Sequence, residues 1–332
     1  MEDLKIALAG CGRVAQTHVR NLQAIFGRSE VLVGVCDTDP RRAEAMAQEA
    51  GGRPFGDIAR MLEAVKPDAL LLCTPPSVRE VPIRLCCEAG VAFFCETPPA
   101  PDAKTCRRIH GLLARSGVVN AVGFQWRYLD LVDECRRWLV GKRVSAVVSR
   151  FASDTLFTGD LPAWLTLADR GGGPVFAETL HALDLVRYLV GNISSVMAFG
   201  SNAVVPAGPK MTVPDTLAMT FSLEGGGVGS HYHGWAEKQP TAEIVIRTGF
   251  DVICLDLVGN RLTGAVDGQK LACEAGVDPW RREIETFLQA VSANDQSLIR
   301  SGYGDACETV LVSSAVMESL RASILARVDI GA

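Results

Sequence analysis

The pattern of apolar positions divides the chain into two parts with different periods. In the first part, short apolar runs alternate with stretches of helical period, and the run 69–73 is apolar at every position. Strands that are apolar throughout are buried on both faces, which is typical of a parallel sheet covered by helices. The predicted strands are 4–9, 31–36, 69–73, 91–95 and 118–122, and the predicted helices are 13–25, 41–50, a helix capped by Asp57 and running to Val65, 79–89 and 102–115.

The second part begins with two helical stretches, 128–139 and 178–190, and then changes to a period of two. In segment 216–223 every second residue is apolar, so that Leu217, Met219, Phe221 and Leu223 share one face. Strands of this kind, joined by short turns, form an antiparallel sheet that packs with one face. Further strands are predicted at 228–235, 242–248, 251–257 and 261–266, and two closing helices at 280–293 and 303–325.

Composition excludes several classes of protein. A length of 332 residues suits two domains, and the net charge of −5 lacks the basic face that nucleic acids and anionic membranes require. No apolar run approaches the ~20 residues of a membrane span, and the N-terminus lacks the pattern of a signal peptide. The 11 cysteines form no Cys-x-x-Cys pair, and several lie in apolar strands. We therefore expect a cytoplasmic protein without structural disulfides.

A glycine-rich motif follows the first predicted strand and opens the first predicted helix. Residues 10–15 read G-x-G-x-x-A: Gly10 permits a tight turn, Gly12 lets the backbone approach a pyrophosphate, and Ala15 keeps helix and strand close. The helix N-terminus, at Arg13 and Val14, then offers N–H groups to the phosphates. In this context the motif predicts a dinucleotide-binding Rossmann domain.

Asp37 ends the next strand, where an acidic residue binds the ribose of the cofactor. Its carboxylate can accept hydrogen bonds from both ribose hydroxyls and would repel a 2′-phosphate, which favours NAD over NADP. The neighbouring Arg41 and Arg42 keep NADP open as an alternative. A Rossmann-like fold that binds no dinucleotide is the other alternative.

Five segments carry a resemblance to a known family. They are GCGRVAQTH at 10–18, CTPP at 73–76, CETPP at 95–99, GFQWRY at 123–128, and GGG at 171–173 followed by His181 and Asp184. In order and spacing they resemble the glucose–fructose oxidoreductase, myo-inositol dehydrogenase and MocA (Gfo/Idh/MocA) family over nearly the whole chain. The resemblance implies a Rossmann domain at 1–122 and an α+β domain at 123–332 with a large open, mostly antiparallel sheet. It also implies homodimers or homotetramers that assemble through this sheet.

The resemblance also implies an activity and a set of site residues. Members oxidise or reduce CH–OH and carbonyl groups of sugars, polyols and related small molecules with nicotinamide cofactors. Thr74, Pro75 and Pro76 would line the cofactor, Glu96 and Thr97 would lie beside the nicotinamide, and Gln125 to Arg127 would face cofactor and substrate.

Two departures from the family pattern concern the proton-transfer machinery. The family usually has Lys where this chain has Thr97, and Asp where it has Ala177. Glu178 follows one residue later, about 100° round a helix, and is not a positional substitute. A threonine hydroxyl has too high a pKa to replace the lysine. His181 is therefore the best acid/base, because imidazole titrates near neutral pH; a helix-packed histidine is the alternative.

Four other side chains have a functional and a structural interpretation. Arg127 would hold a substrate oxygen or form an internal salt bridge, and Tyr128 would relay a proton or pack at the domain junction. His231 and His233 share one face of a strand, which permits a metal pair, but no third ligand is evident. We expect no metal and place the two histidines on a polar face of the sheet, at a subunit interface.

The sequence thus predicts an NAD-dependent oxidoreductase acting on a hydroxylated small molecule. The alternative is an NAD(H)-binding sensor or partner subunit without net turnover, because Thr97 and Ala177 replace the usual Lys and Asp. A third possibility is a transient oxidation that serves elimination or hydrolysis of a glycoside.

Overall fold

A computed structural model describes residues 4–158, 161, 163–168, 173–205 and 207–328. Gly171 and Gly172, which contribute to the family resemblance, lie outside these residues. Contacts divide the chain into two compact units, Met1–Tyr128 with Asp278–Cys307, and Leu129–Val277 with Glu308–Ala332.

The helices and strands are these, in chain order: β1 (Ile6–Ala9), α1 (Arg13–Phe26), β2 (Gly34–Cys36), α2 (Pro40–Ala50), β3 (Arg53–Phe55), α3 (Ile58–Val65), β4 (Ala69–Leu72), α4 (Glu80–Ala89), β5 (Ala92–Cys95), α5 (Ala103–Ser116), β6 (Asn120–Val122), α6 (Asp130–Leu139), β7 (Ala146–Ala152), α7 (Ala163–Thr166), α8 (Leu180–Val190), β8 (Ile193–Ser201), β9 (Thr216–Leu223), β10 (Val228–Gly234), β11 (Thr241–Thr248), β12 (Asp251–Asp256), β13 (Arg261–Val266), β14 (Gln269–Glu274), α9 (Pro279–Ala293), α10 (Tyr303–Ala322) and β15 (Ala326–Arg327).

The first unit contains a six-stranded parallel sheet in the order β3-β2-β1-β4-β5-β6. The strand order reverses between β1 and β4, and ligands of such sheets bind at the carboxyl ends of the strands beside this switch point. Ala9 at the end of β1 pairs with Leu72 at the end of β4, so the segments that follow these strands begin side by side. The predicted Rossmann fold is confirmed.

The helix α9 joins this first unit although it follows the second sheet in sequence. It packs on α1, and its residues Ile284, Phe287 and Leu288 share a buried core with Val19 and Leu22 of α1. The domain boundary predicted from the sequence lies between residues 122 and 123 and places this helix in the second domain. The contacts instead extend the first unit to Tyr128 and add Asp278–Cys307.

The second unit contains a nine-stranded sheet in the order β14-β13-β12-β11-β7-β10-β9-β8-β15. Strands β7 and β10 run parallel, and every other neighbouring pair of these strands is antiparallel. The alternation predicted for β9 is present, since Leu217, Met219, Phe221 and Leu223 are all buried. The prediction of a mostly antiparallel sheet is thus confirmed.

The two faces of this sheet differ in exposure. Apolar side chains on one face are buried, whereas Val148 on β7 and Phe199 on β8 are exposed on the other. In the part of the chain that the structure describes, no helix is long and apolar enough to cross a membrane.

Candidate functional site

The turn between β1 and α1 approaches the neighbouring strand closely. Gly10 has φ +87°, and a Cβ at this position would lie 2.7 Å from the carbonyl carbon and oxygen of Cys73. Another residue would be both strained and sterically blocked. At Gly12, in contrast, a Cβ would meet nothing within 4 Å, so the backbone faces open space.

The N-terminus of α1 lacks a capping side chain, because its N-cap residue is Gly12. The first N–H groups of a helix have no partner within the helix and carry the positive end of its dipole. Arg13 and Val14 begin this helix, and Ala15 is buried beneath the turn. This arrangement has the character of an anion site suited to a pyrophosphate.

Asp37 follows β2 and is fixed by two backbone amides. Its Oδ2 accepts a hydrogen bond from the Cys11 N–H at 2.8 Å, and its Oδ1 accepts one from the Asp39 N–H at 2.9 Å. A carboxylate oxygen has a second lone pair, so both oxygens can still accept from ribose hydroxyls. Arg42 forms an ion pair with Asp39, with 3.7 Å between Arg42 Nε and Asp39 Oδ2.

Cys11 lies within the glycine-rich turn as a buried thiol. Burial raises the pKa of Cys11 to about 12, and the nearby Asp37 carboxylate acts in the same direction. A thiol with this pKa is protonated at neutral pH and is a poor nucleophile. Cys11 therefore serves as a small residue that fits the turn.

Two buried polar atoms near the strand ends have no hydrogen-bond partner among the described residues: Oγ1 of Thr74 and Oε1 of Gln125. Such groups are costly to bury unless a ligand or water completes them. Together with the open space at Gly12, they indicate that the residues of this unit fit a dinucleotide. Pro75 and Pro76 follow Thr74 in the segment that leads from β4 to α4.

Glu96 follows β5 and pairs with a histidine from α1. His18 Nε2 lies 2.5 Å from Glu96 Oε1, and the imidazole ring packs against Phe94 and Trp280. Both residues of the pair are buried. They lie 78 residues apart in sequence, so motif analysis found each of them but could not pair them.

Arg127 and Tyr128 are enclosed within the first unit. Arg127 is 2% exposed, and its Nη1 donates to the Arg300 carbonyl at 2.6 Å and lies 2.5 Å from Asp305 Oδ2. The Tyr128 hydroxyl accepts from the Arg300 N–H at 3.2 Å, and burial raises the pKa of Tyr128 to about 12. These internal contacts favour the structural interpretation for both residues.

In the second unit, a π-helical turn, Val175–Thr179, leads into α8, and His181 lies partly buried in the first turn of that helix. Glu178 in the π-helical turn binds the sheet. Its carboxylate accepts hydrogen bonds from Thr155 Oγ1 and Trp235 Nε1, both at 2.9 Å, and from Ser153 Oγ at 3.2 Å. Its side chain is therefore committed to residues that follow β7 and β10.

The ionised form of Glu178 is favoured by its neighbours. Burial by itself would raise the pKa of Glu178, but His233, Thr155 and Trp235 together lower it below the ordinary value. The His233 Nε2 atom lies 3.4 Å from Glu178 Oε2. The carboxylate thus acts as a charged anchor for the turn that precedes His181.

The prediction that His231 and His233 lie on a polar, interface face of the sheet is wrong. Both are buried on its covered face, where His233 stacks on Phe151 and His231 Nδ1 lies 2.8 Å from Ser149 Oγ. Burial lowers the pKa of His231 to about 3, so it is neutral. The described residues contain no group of three or more His, Cys, Asp or Glu side chains that could hold a metal ion.

Comparison with known proteins identifies the family. The model of an oxidoreductase family with an NAD-binding Rossmann fold matches residues 4–124, and the GFO/IDH/MocA C-terminal domain matches residues 138–253. The chain belongs to the Gfo/Idh/MocA oxidoreductase family. It is 28% identical over 242 residues to D-glucoside 3-dehydrogenase of Escherichia coli (strain K12), and 29% identical over 230 residues to myo-inositol dehydrogenase Hyg17 of Streptomyces leeuwenhoekii. Each alignment covers 68% of both chains.

Solved structures share the fold over nearly the full length of the chain. Levoglucosan dehydrogenase in complex with NADH and levoglucosan superposes with a TM-score of 0.88 and covers 98% of this chain and 99% of its own, at 18% identity. UDP-N-acetylglucosamine 3-dehydrogenase from Acidithiobacillus ferrooxidans superposes with a TM-score of 0.82, covering 96% of this chain and 98% of its own, at 21% identity. At such identities the likeness concerns the fold alone.

Thr97 and Ala177 are the two residues at which the sequence departs from the pattern of the Gfo/Idh/MocA family. Thr97 is partly exposed in the segment after β5, between the buried residues Glu96 and Pro98. Ala177 packs against an apolar cluster that includes Leu165, Met211 and Trp235. Neither residue offers a group that titrates near neutral pH.

Proposed function

We propose that this chain is an NAD-dependent oxidoreductase that transfers hydride between the nicotinamide and a CH–OH or carbonyl group of a sugar, polyol or related molecule. One observation carries the proposal: the turn at Gly10 and Gly12 adjoins a carboxylate, Asp37, that is fixed to the backbone of the same turn. When bound, NAD supplies the hydride acceptor for alcohol oxidation.

Residues of the first unit would hold the cofactor. Gly12 and the N–H groups of Arg13 and Val14 would bind the pyrophosphate, and Asp37 the ribose. Further residues would line the remainder of the cofactor: Thr74, Pro75, Pro76, Glu96, Thr97 and Gln125. The unpartnered polar atoms of Thr74 and Gln125 support this assignment.

His181 would exchange the proton that accompanies hydride transfer, and Thr97 would orient the reacting oxygen through its hydroxyl. A positioned acid or base contributes roughly 10²- to 10⁴-fold to such a step. The internal contacts of Arg127 and the buried phenol of Tyr128 favour supporting roles for these two residues.

The relatives indicate the substrate class. The names of the relatives given above, a glucoside dehydrogenase and a myo-inositol dehydrogenase, describe oxidation of ring-bound hydroxyl groups. We expect a polyhydroxylated ring compound as the substrate of this chain as well.

Assembly and location belong to the same proposal. Two copies would pair through the sheet face that bears Val148 and Phe199, and a homotetramer would add a second interface. A reducing compartment such as the cytoplasm is proposed from the cysteine usage, since the 11 cysteines form no Cys-x-x-Cys pair and several lie in apolar strands.

The test is turnover of a panel of glucosides, hexoses and cyclitols by the wild type and by His181→Asn. The variant should lose about 10²-fold or more in kcat while it retains NADH affinity. His110→Asn, at an exposed histidine of α5, is the matched control and should behave as wild type. Tight NADH binding without turnover by the wild type would favour the sensor alternative, and full activity of His181→Asn would remove His181 from the mechanism.

A further inference from the structure

Arg79 is a buried arginine at the start of α4 that the sequence analysis treated only as part of a helix. It is 2% exposed, and it bonds to the segments that follow two neighbouring strands. Its Nε and Nη2 donate to the Thr74 carbonyl at 3.0 and 2.6 Å. Its Nη1 donates to the carbonyls of Glu96 and Pro98, one on each side of Thr97.

Burial of the guanidinium charge costs desolvation free energy, which specific interactions of the buried group must offset. Burial lowers the pKa of Arg79, and the hydrogen bonds described for its guanidinium all go to main-chain carbonyls rather than to a carboxylate. An apolar side chain could fill the same volume without the desolvation penalty. The guanidinium differs from such a residue in that its planar array of donors can bind carbonyls of two separate segments at once.

Both segments belong to the surface that would hold the dinucleotide. Thr74 follows β4, and Glu96 to Pro98 follow β5, so they lie at the carboxyl ends of adjacent parallel strands. The distance between these segments determines whether Thr74 and Glu96 can contact one ligand together. Main-chain carbonyls that are tied to one rigid group cannot separate without loss of several hydrogen bonds.

We propose that Arg79 is a positioning residue that clamps the segments after β4 and β5 at the spacing that NAD binding requires. The inference rests on the NAD-binding part of the proposed function. Arg79 acts through the main chain of Thr74, Glu96 and Pro98 and not by touching the reacting atoms.

The experiment measures NADH affinity by calorimetry for the wild type, Arg79→Lys, Arg79→Ala and the control Arg108→Ala. Arg108 is a half-exposed arginine of α5 whose Nε lies 2.5 Å from Glu80 Oε1. Each variant is also titrated in the presence of millimolar guanidinium, urea or sodium chloride. Guanidinium can re-enter the space left in Arg79→Ala and donate to the same carbonyls, whereas urea carries no charge and sodium chloride no planar donors.

We expect Arg79→Lys to bind NADH about tenfold more weakly, a loss of ~1.4 kcal/mol, because one ammonium cannot span both segments. Arg79→Ala should bind more weakly still, and guanidinium alone should restore its affinity. Arg108→Ala should match the wild type. If Arg79→Ala fails to fold, Arg79→Lys decides the question.

The clamp would be overturned if Arg79→Lys bound NADH with wild-type affinity. It would also be overturned if guanidinium did not restore the NADH affinity of a folded Arg79→Ala. In both cases the proposed function would still stand. A wild-type protein that binds neither NADH nor NADPH would overturn the proposed cofactor and the clamp together.

Discussion

Asp37 shows how a single side chain can be tied to a turn and still be available to a ligand. Each of its carboxylate oxygens accepts one backbone N–H, from Cys11 and from Asp39, and retains one lone pair. The carboxylate is therefore oriented before a cofactor arrives. Its negative charge would oppose a 2′-phosphate at the same position.

Replacement of Asp37 by Ser should weaken NADH binding and reduce the preference for NADH over NADPH. The expected loss for NADH is about tenfold, corresponding to one charge-assisted hydrogen bond. Arg41 and Arg42, both exposed on α2, should then assist NADPH. Calorimetric titration with both cofactors is the measurement, and Glu44→Gln on the exposed face of α2 is the control. An unchanged preference in Asp37→Ser would contradict the assignment of the ribose ligand.

At the scale of single residues, the roles of motif residues could be predicted from the sequence, but the burial of individual side chains could not. The glycine turn and Asp37 could be assigned because their chemistry depends on neighbours in sequence. The enclosure of Arg127 depends on Arg300 and Asp305, which lie far along the chain and reach it only through the fold. The pairing of His18 with Glu96 was missed for the same reason.

At the scale of elements, the π-helical turn before α8 is held to the sheet by one carboxylate. Glu178 joins this turn to Ser153 and Thr155, which follow β7, and to Trp235, which follows β10. The turn leads directly to His181. The orientation of the proposed acid/base therefore depends on an anchor three residues earlier.

Removal of this anchor should cost stability. We expect Glu178→Ala to lower the free energy of unfolding by about 2–3 kcal/mol, because three partly buried hydrogen bonds lose their charged acceptor. Glu178→Gln should lose less, since its amide oxygen still accepts. Denaturant unfolding of both variants, with exposed Glu224→Ala as the control, measures the effect. If Glu178→Ala were as stable as the wild type, the hydrogen bonds of Glu178 would contribute little to the free energy of unfolding, and Glu178 would not be an anchor.

Five strands were not predicted from the sequence, β3, β7, β8, β14 and β15, and the first three of them lack a clear apolar alternation. β3 has only three residues and contains Pro54. β7 carries Ser149 and Arg150 in its middle, and β8 carries Ser194, Ser195 and Gly200. Backbone pairing with neighbouring strands, rather than hydrophobic alternation, makes these segments strands. The strongly alternating β9 was predicted because its own side chains decide its face.

For the whole molecule, the open face of the nine-stranded sheet is the feature that bears on assembly. Phe199 on β8 is 64% exposed, and Val148 on β7 is half exposed, although both lie on regular strands. Val148 and Phe199 line one stretch of this face together with Met197, Ala218 and Tyr232, and a contiguous exposed apolar surface marks an interaction site. In the proposed homo-oligomer, a second copy of the chain would cover them.

Phe199→Asp should shift the protein from an oligomer to a smaller species at equal concentration, because a buried, unpaired charge would oppose pairing. Sedimentation velocity is the measurement. Phe250→Asp, at a fully exposed residue in the turn between β11 and β12, is the control and should leave the assembly unchanged. An assembly that tolerates Phe199→Asp would place the interface elsewhere.

The proposed activity of this protein is hydride transfer between NAD and a hydroxylated carbon. The most direct measurement incubates the wild-type protein with NAD and polyols, glucosides or cyclitols that carry deuterium on their CH–OH carbons, and determines the isotopic content of the NADH by mass spectrometry. We expect deuterium in the NADH, with an equal amount of carbonyl product from one substrate class. Tight binding of NADH with no label transferred from any compound would contradict the claim and leave a cofactor-binding protein without net redox turnover.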